Sequence, residues 1–559
     1  MTTRARTILL LASSSALFGC QPGCETGGLS DLFDTSPTFI RFPGRHLAEG
    51  RFSGFALDGS ASERGYLLVR DQDQDGALTV VPIRGGEPCR VGPAARFWSF
   101  LSMFGLQDGT PQEGYISFLP SVDEAGIGTL QFATFGCEVS SASLPGVRSP
   151  IRTGTMLSPP AFVALQSDAK LATVSPWDGT SKSVAEPVGD AAFDGANFWT
   201  LQGGEVVILD GSLSEKARYG QGVTGYRING PGAGYFLDPN GLQKFDELGQ
   251  KPTVLAQDAC GLAMPRGGSD YVATLSPCQD AQLVLINPST QETHLLAAGA
   301  SMDVVVSSLQ GPEKTEPYFI YTTEVDPATG LGKLWATMLD HEPQLISEAA
   351  SVGSVAAAVD GRLPLIVDSV GGRGRLVLWS PSDGMEEIAQ DVTAFNLPLL
   401  LEKYDDATGT GTLSFRHANG KLERLASGVP DLGQTFVYRD KDDNGDTIYR
   451  AALSDFEDGA GKLELITQVG DELDVKQVAD LVPRRAYLFF QFADALTYLE
   501  VDEPGAPTGR LQVLFLRTDE PPFGTDGVSE WMGMDWPEVG IAYSVPEGKQ
   551  AGIWFGSLQ

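Results

Sequence analysis

The sequence predicts an all-β protein that is built of many short antiparallel strands. Short runs rich in valine, isoleucine, leucine, phenylalanine and tyrosine alternate with clusters of glycine, aspartate, asparagine, proline and serine, which is the pattern of strands joined by tight turns. The 559 residues include 66 glycines and 35 prolines, so turns are frequent and long helices are disfavoured. Helical periodicity is nearly absent, and the 42% of hydrophobic residues suffices for a core.

The strands recur in units of similar length. In one unit the apolar run 319–321 faces 333–336 across a polar hairpin, and the shorter run 345–346 follows. About twelve units can be recognised, and they start near residues 52, 114, 161, 196, 232, 270, 317, 363, 397, 435, 486 and 539. Their spacing of roughly 35 to 60 residues is close to the period of a β-propeller blade. The sequence therefore predicts a β-propeller protein with about twelve four-stranded blades.

Three segments carry a family resemblance. Residues 438–449, in which an Asp/Asn/Gly hairpin precedes Ile448 and Tyr449, resemble the repeats of TolB-type propellers. Residues 207–211 and 285–290 are similar to blades of quinoprotein-like and NHL propellers. The resemblance implies a propeller fold for most of residues 52–559. A set of β-sandwiches is the alternative, but the regular strand count and the lack of an immunoglobulin-like Cys-Trp-Cys pattern favour propellers.

The number of blades bears on the arrangement of rings. Twelve blades exceed the usual four to eight of one ring, so we expect two tandem or interleaved rings with a boundary near residues 155–360. The last unit offers only the strands 539–544 and 552–558. An unpaired sheet edge is a liability, so we expect residues 38–42 to add the missing strand. The N-terminal part of the chain then closes the last blade.

The first twenty residues have the features of an export signal. Arg4 and Arg6 precede the apolar segment 8–18. This segment is too short for a membrane span, which needs roughly 20 residues, so it is interpreted as the core of a signal peptide. The residues that follow resemble the lipobox of bacterial lipoproteins, although Phe18 stands where a small residue is usual.

The lipobox resemblance implies a lipid anchor. Residues 1–19 are then the signal peptide, and the chain is cleaved before Cys20, which becomes the acylated N-terminal residue. Residues 20–35 form a flexible tether, and residues 36–559 form the propeller region. Two acyl chains anchor a protein stably, whereas one binds only marginally. An ordinary secretory cleavage is the alternative.

The charge and the anchor together predict where the protein resides. The formal net charge of −33 comes from 72 acidic and 39 basic residues. So acidic a surface repels nucleic acid and anionic lipid headgroups, and we expect no nucleic-acid partner. The membrane is reached through the lipid anchor, and Gln21 after Cys20 favours an outer-membrane or cell-surface address in the cell envelope.

The cysteines fit an oxidising compartment. Cys260 and Cys278 flank a short turn-rich segment, and Cys89 and Cys137 fall at similar places in two successive units, so both pairs are plausible disulfides. Cys24 is left over. No Cys-x-x-Cys motif occurs and the chain has only four histidines, which argues against a zinc or iron–sulfur site.

Two aspartate-rich loops have the alternating spacing by which calcium loops bring hard oxygens around one ion. The candidate ligands are Asp71, Asp73 and Asp75 in the first loop, and Asp440, Asp442, Asn444 and Asp446 in the second. Neither loop completes an EF-hand, because Pro82 and Ala451 stand where a bidentate glutamate belongs. Calcium is therefore the one cofactor suggested, and a simple tight hairpin is the alternative, since it needs the same residues.

Trp531 and Trp536 are candidate interaction residues. They lie in the connection 520–538, which we expect to be long and irregular. Long loops in compact folds are often functional, and aromatic residues are enriched in interface cores. The alternative is that these side chains plug a ring mouth.

Three functions remain open at the level of sequence. The favoured one is a surface-anchored, non-catalytic lipoprotein that binds an envelope protein or a glycan through propeller faces and loops. The second is a secreted enzyme that acts on polysaccharide, which needs two carboxylates about 5 to 9.5 Å apart in a pocket. The third is a calcium-dependent adhesion module. Scarcity of histidine leaves few groups suited to acid–base catalysis, which favours the first.

Overall fold

The computed structural model describes residues 44–57, 65–101, 115–151, 161–267, 269–310, 315–339, 341–439, 446–490, 494–518, 520–534 and 539–557. Within these ranges there are 45 strands and no α-helix. Two single 3-10 turns, Gln72–Gln74 and Cys278–Asp280, are the helical segments of this part of the chain. None of its helices has the length and apolarity that a membrane span requires.

The strands are short and follow one another closely. In the N-terminal half they are β1 (Arg45–Ala48), β2 (Phe52–Leu57), β3 (Tyr66–Asp71), β4 (Ala77–Pro82), β5 (Cys89–Gly92), β6 (Arg96–Leu101), β7 (Tyr115–Leu119), β8 (Gly128–Thr134), β9 (Val139–Ile151), β10 (Phe162–Gln166), β11 (Leu171–Val174), β12 (Ser181–Ser183), β13 (Ala191–Phe193), β14 (Phe198–Gln202), β15 (Glu205–Leu209), β16 (Glu215–Tyr219), β17 (Gly225–Gly230), β18 (Ala233–Asp238), β19 (Gly241–Phe245), β20 (Thr253–Ala256), β21 (Cys260–Ala263), β22 (Val272–Leu275), β23 (Gln282–Ile286) and β24 (Thr293–Ala298).

Longer strands are more common in the C-terminal half. They are β25 (Ala300–Gln310), β26 (Thr315–Thr323), β27 (Gly332–Thr337), β28 (Gln344–Val355), β29 (Leu363–Val370), β30 (Arg373–Ser380), β31 (Gly384–Asn396), β32 (Leu399–Asp405), β33 (Thr410–Arg416), β34 (Leu422–Val429), β35 (Gln434–Arg439), β36 (Asp446–Glu457), β37 (Ala460–Val469), β38 (Glu472–Pro483), β39 (Tyr487–Phe490), β40 (Ala495–Glu500), β41 (Gly509–Phe515), β42 (Phe523–Val528), β43 (Glu530–Met534), β44 (Gly540–Val545) and β45 (Gly552–Ser557).

All strand pairs within the named sheets are antiparallel, and the sheets are meanders. Seven sheets have four strands, namely β2–β5, β13–β16, β17–β20, β21–β24, β35–β38, β39–β42, and β43–β45 together with β1. Strands β6–β12 form a seven-stranded sheet and β25–β34 a ten-stranded one.

The two larger sheets contain strands that serve two neighbours. The N-terminal part of β9 pairs with β8 and its C-terminal part with β10, and Val147 pairs with both. Strands β28 and β31 are shared in the same way, through Ala350 and Val392. All three pivot residues are fully buried. Counted with shared strands, the sheets comprise twelve groups of four strands, which is the number predicted.

We number the groups 1 to 12 in chain order, so that β2–β5 is group 1 and β43–β45 with β1 is group 12. Group 3 begins with the second part of β9, group 8 with the second part of β28, and group 9 with the second part of β31. The first strand of a group is its most N-terminal strand, except in group 12, where β43 is taken as the first strand and β1 as the last.

The middle strands of a group are buried on both faces. Every residue of β4 and of β44 is buried, because each sheet lies between two others. Such strands are continuous apolar runs rather than alternating ones. Many hairpins in the described part of the chain are closed by Asp, Asn or Gly, several of them at positive φ, such as Asp75 and Gly372.

One cluster of buried apolar side chains joins each group to the next. Twelve such clusters occur among the described residues. Eleven join consecutive groups. The twelfth joins the last group to the first, and in it Ile553 and Phe555 pack with Phe52 and Val69. Burial of each such side chain stabilises the fold by roughly 1.5–3 kcal/mol.

The N-terminal part of the chain completes the last group, as predicted. The strand is β1, in which His46 pairs with Trp554 and Ala48 with Ile553. It begins at Arg45, whereas the prediction placed it at residues 38–42, which lie outside the described residues. The pairing joins residues about five hundred positions apart.

One structural prediction about the last group is wrong. Residues 520–538 were expected to form an irregular connection, but β42 and β43 lie there. Trp531 belongs to β43, where it is partly buried and packs against the cluster between groups 11 and 12. The Gly-rich and polar residues of these strands hide the strand pattern in the sequence.

The two predicted disulfides are present. Cys89 at the start of β5 is bonded to Cys137 between β8 and β9, and their Cα atoms are 5.9 Å apart. Cys260 in β21 is bonded to Cys278, with Cα atoms 5.3 Å apart. The first bond links groups 1 and 2, and the second lies within group 6.

Candidate functional site

Two cavities lie along the first strands of consecutive groups. The larger one has a volume of about 620 Å³ and is lined by residues of groups 9, 10 and 11. The smaller one, of about 350 Å³, is lined by residues of groups 4, 5 and 6. Ligand pockets in proteins usually measure about 300–1,000 Å³, so both are of a suitable size for a small ligand.

The wall of the larger cavity combines aromatic rings with hydrogen-bonding groups. Tyr404 and Tyr487 contribute the rings, and Asp431, Gln434 and Arg485 contribute the polar groups. Tyr487 is only 5% exposed. Burial raises the pKa of its phenol, and the Asp431 carboxylate raises it further. The phenol therefore remains protonated at neutral pH and can donate a hydrogen bond.

Hydrogen bonds fix the orientation of these polar groups. The Gly433 amide donates to Asp431 Oδ1 at 3.0 Å, and the Arg484 guanidinium donates to Asp431 Oδ2 at 3.3 Å. Gln434 Nε2 donates to the carbonyl oxygen of Tyr487 at 2.9 Å, so the first strands of groups 10 and 11 are linked beside the cavity. A preorganised wall of this kind costs little conformational entropy when it binds a ligand.

Two groups on this wall have no hydrogen-bond partner among the described residues. The hydroxyl of Thr393 is buried without one. Arg485 is exposed and makes no ion pair with a described carboxylate, in contrast to Arg484 beside it. A buried hydroxyl without a partner is costly.

The smaller cavity has a similar polar set. Asp190, Tyr226 and Arg227 lie on its wall. Tyr226 is buried and donates to the carbonyl oxygen of Trp199 at 3.0 Å. Burial raises the pKa of Tyr226, and Asp190 raises it further. Arg227 is exposed and bonds only the carbonyl oxygen of Tyr226 among the described residues, at 3.0 Å.

The first predicted calcium loop is held together by its own hydrogen bonds. Asp71 Oδ1 accepts from the Asp73 amide at 3.0 Å, and Asp73 Oδ1 accepts from Arg51 Nε at 2.6 Å. The hydrogen bonds from Arg51 lower the pKa of Asp73. Asp75 adopts the left-handed conformation that ends the turn. Among the described residues no three acidic, histidine or cysteine side chains are grouped so as to hold a metal ion.

Several predicted site residues lie outside the described residues. They are Cys20 with its tether, Asp440, Asp442, Asn444 and Trp536. Asp446 begins β36, but its side chain is not among those described. The lipid anchor and the two calcium loops therefore stay predictions. Calcium at the first loop has to compete with Arg51 for the Asp73 carboxylate.

The cavity residues were not identified from the sequence. Asp190, Tyr226 and Arg227 lie in or just before first strands, and so do Asp431 and Tyr487. Some first strands, such as β17, contain exposed polar residues and no continuous apolar run, so the sequence pattern assigns them to linkers, whereas β39 is a continuous apolar run. The available signal is a tyrosine next to or near an arginine at the start of a group, as in Tyr226 and Arg227.

Comparisons with known proteins identify no family. No protein-family model matches the chain, and no curated protein matches it. Among solved structures, the crystal structure of a eukaryotic initiation factor is similar over 64% of this chain and 92% of that chain, with 10% sequence identity and a TM-score of 0.25. Kluyveromyces lactis Hsv2 with a complete loop 6CD is similar over 53% and 99%, with 10% identity and a TM-score of 0.27. TM-scores this low carry no argument about fold or function.

Proposed function

We propose that the twelve groups form one closed ring, a β-propeller in which each group is a blade. The order of the clusters supports this proposal, because each joins neighbouring groups and the last group shares one with the first. Two separate rings need a group to share a cluster with a non-consecutive partner inside the chain. The clusters of the described residues follow one cyclic order instead, which favours a single ring over the two rings expected from blade number.

The first strands lie on the inner side of this ring. Those of neighbouring groups contact one another, as β17 does with β21, β21 with β25, β35 with β39, and β43 with β2. Blades of a propeller surround a central channel. Both cavities lie along first strands, so they face the channel of the proposed ring.

We infer that the protein is a lipid-anchored, non-catalytic binding protein of the cell envelope whose ligand is a glycan. The observation that carries this inference is the larger cavity, where Tyr404 and Tyr487 lie beside Asp431, Gln434 and Arg485. Sugars present apolar faces and many hydroxyl groups, so they are bound by aromatic rings together with a few placed polar groups. A rigid concave wall favours a glycan over a second protein, which usually needs about 800 Å² on each partner.

The carboxyl groups favour binding over catalysis. Asp431 is the one carboxylate among the described residues that line the larger cavity, and Asp190 is the one in the smaller cavity. Glycoside hydrolysis commonly uses a pair of carboxylates on either side of the scissile bond. A single carboxylate suits the acceptance of hydrogen bonds from sugar hydroxyls.

Glycan binding is tested with the purified full-length protein on an array of neutral and acidic polysaccharides. We expect retention on at least one polysaccharide and no release of reducing sugar from it. Tyr404→Ala should weaken retention at least tenfold, because the variant loses a ring from the cavity wall. If no polysaccharide retains the protein, the proposal is wrong. Release of reducing sugar would favour the polysaccharide-acting enzyme instead.

The anchor is tested separately by fractionation of cells that express the full chain. The protein should sediment with membranes, and Cys20→Ser should move it to the soluble fraction, because lipidation requires that thiol. Mass spectrometry of the N-terminal peptide checks for the acyl chains. An unmodified N-terminus at another residue would indicate ordinary secretory cleavage.

A further inference from the structure

The walls of the two cavities have the same three types of side chain. Each wall has an aspartate at the start of one group, and a buried tyrosine and an exposed arginine at the start of the next. The residues are Asp190, Tyr226 and Arg227 in the smaller cavity, and Asp431, Tyr487 and Arg485 in the larger one. In both cavities burial and then the aspartate raise the pKa of the tyrosine, so the acid and the phenol are close to each other.

The two sets are six groups apart. The aspartates belong to the starts of groups 4 and 10, and the tyrosines to groups 5 and 11. In the proposed ring of twelve, six groups make half a turn. The same arrangement therefore occurs at opposite sides of the channel.

The arginines indicate the charge of the ligand. Several arginines in the described part of this acidic chain pair with a carboxylate, as Arg218, Arg375 and Arg484 do. Arg227 and Arg485 form no ion pair among the described residues, although acids outnumber bases almost two to one. A guanidinium presents a planar fork of donors that matches a carboxylate. Each cavity thus combines a site for one negative charge with a phenol and a carboxylate acceptor. The phenol of Tyr487 can donate to a ligand, whereas that of Tyr226 donates to the carbonyl oxygen of Trp199 and offers its oxygen as an acceptor.

We propose that both cavities bind saccharides that carry a carboxylate, such as a hexuronic acid residue, with Arg485 and Arg227 holding the carboxylate. This rests on the proposed glycan-binding function and names its ligand class. Asp431 and Tyr487 bind hydroxyl groups of the same sugar in the larger cavity, as Asp190 and Tyr226 do in the smaller. The net charge of −33 repels long polyanions, so each site takes a single acidic residue of a short or mixed saccharide.

The test is calorimetric titration of the full-length protein with trisaccharides of glucuronate, galacturonate and mannuronate, each beside its neutral hexose counterpart. We expect at least one uronate to bind at two sites per chain, about tenfold to a hundredfold more tightly than the neutral sugar. Arg485→Gln should abolish one site and Arg227→Gln the other. Both arginines are exposed, so the variants keep the fold.

Arg148→Gln is the matched control. Arg148 lies on β9, is exposed, and forms no ion pair among the described residues, but it lines neither cavity. The substitution Arg148→Gln removes one positive charge, as the other two substitutions do, and should leave binding at both cavities unchanged. Equal binding of neutral and acidic sugars, unaffected by Arg485→Gln, overturns the acidic ligand and leaves glycan binding intact. No binding of any saccharide overturns both proposals.

Discussion

Aspartate side chains shape many hairpins of this protein by accepting hydrogen bonds from backbone amides two residues ahead. The acceptors include Asp123, Asp178, Asp194, Asp210, Asp238, Asp326 and Asp405. Such bonds offer the backbone a local partner at a turn. These aspartates thus stabilise the turns of a meandering sheet.

Asp210 gives the clearest residue-level prediction. Burial acts to raise its pKa, but bonds from Ser212, Ser214 and Lys216 outweigh it and lower the pKa to about 2. Asp210→Asn should lower the free energy of unfolding by about 1–2 kcal/mol at pH 7. A depressed pKa contributes stability above the unfolded-state value, near 4, and that contribution is lost as pH falls through about 2. Thermal unfolding followed by circular dichroism at pH 7, 4 and 2 checks this.

The comparison is with Asp406→Asn. Asp406 is 73% exposed and lies 3.7 Å from Arg373, and such surface pairs contribute little. The substitution Asp406→Asn should change the free energy of unfolding by less than about 0.5 kcal/mol at each pH. A difference between wild type and Asp210→Asn that is as large at pH 2 as at pH 7 contradicts the account of Asp210.

The sequence predicts the turn residues and leaves two roles open for them. Asp71, Asp73 and Asp75 have the spacing of calcium ligands and also that of a hairpin, because both need oxygens and tolerance of a left-handed backbone. The contact from Arg51 to Asp73, with which calcium has to compete, joins residues 22 positions apart and has no signature in the local sequence.

At the scale of strands, the sequence predicts the number of groups but misplaces the beginning of most of them; the starts near residues 52, 435 and 486 do coincide with the first strands β2, β35 and β39. The expected starts near residues 196, 232, 270 and 363 coincide with β14, β18, β22 and β29, which are second strands. Second strands are buried on both faces and read as apolar runs. First strands such as β17 contain exposed residues, so they do not stand out. The smaller cavity lies along the starts of groups 4, 5 and 6, which were misplaced in this way, and it was missed for the same reason.

Strand β1 allows a prediction about the closure of the last group. A chain that starts at Gly50 lacks β1 but keeps Arg51, whereas a chain that starts at Gly44 keeps both. Loss of β1 uncovers the edge of β45 and removes Ala48 from the cluster around Ile553. We expect the shorter chain to lose more than about 2 kcal/mol of unfolding free energy and to self-associate, because an exposed edge pairs with other chains.

Denaturant titration and size-exclusion chromatography of the two chains provide the measurement. The chain that starts at Gly44 is the control, since both chains lack the N-terminal residues that precede β1. Equal midpoints and equal elution volumes would show that β1 contributes nothing to closure.

At the scale of the whole molecule, interactions between neighbours explain the cyclic order of the groups. Each group buries its apolar faces against two others, so no group has a complete core by itself. The first and last groups also have two neighbours each, because β1 and the cluster around Phe555 bring these two groups together. This interaction across the full length of the chain has no local sequence signal, and it was predicted from the missing strand of the last unit.

The net charge of −33 predicts how stability depends on salt. Ion pairs such as those of Arg375 and Lys462 are largely exposed and contribute little, whereas repulsion acts among all the unpaired acids. Raising NaCl from about 20 to 200 mM shortens the screening length from roughly 20 Å to 7 Å, so repulsion falls and the melting temperature should rise by several degrees. Calcium chloride at equal ionic strength separates screening from binding. A larger rise that Asp73→Asn removes indicates a calcium site at that loop, and a fall in melting temperature with NaCl contradicts the role assigned to repulsion.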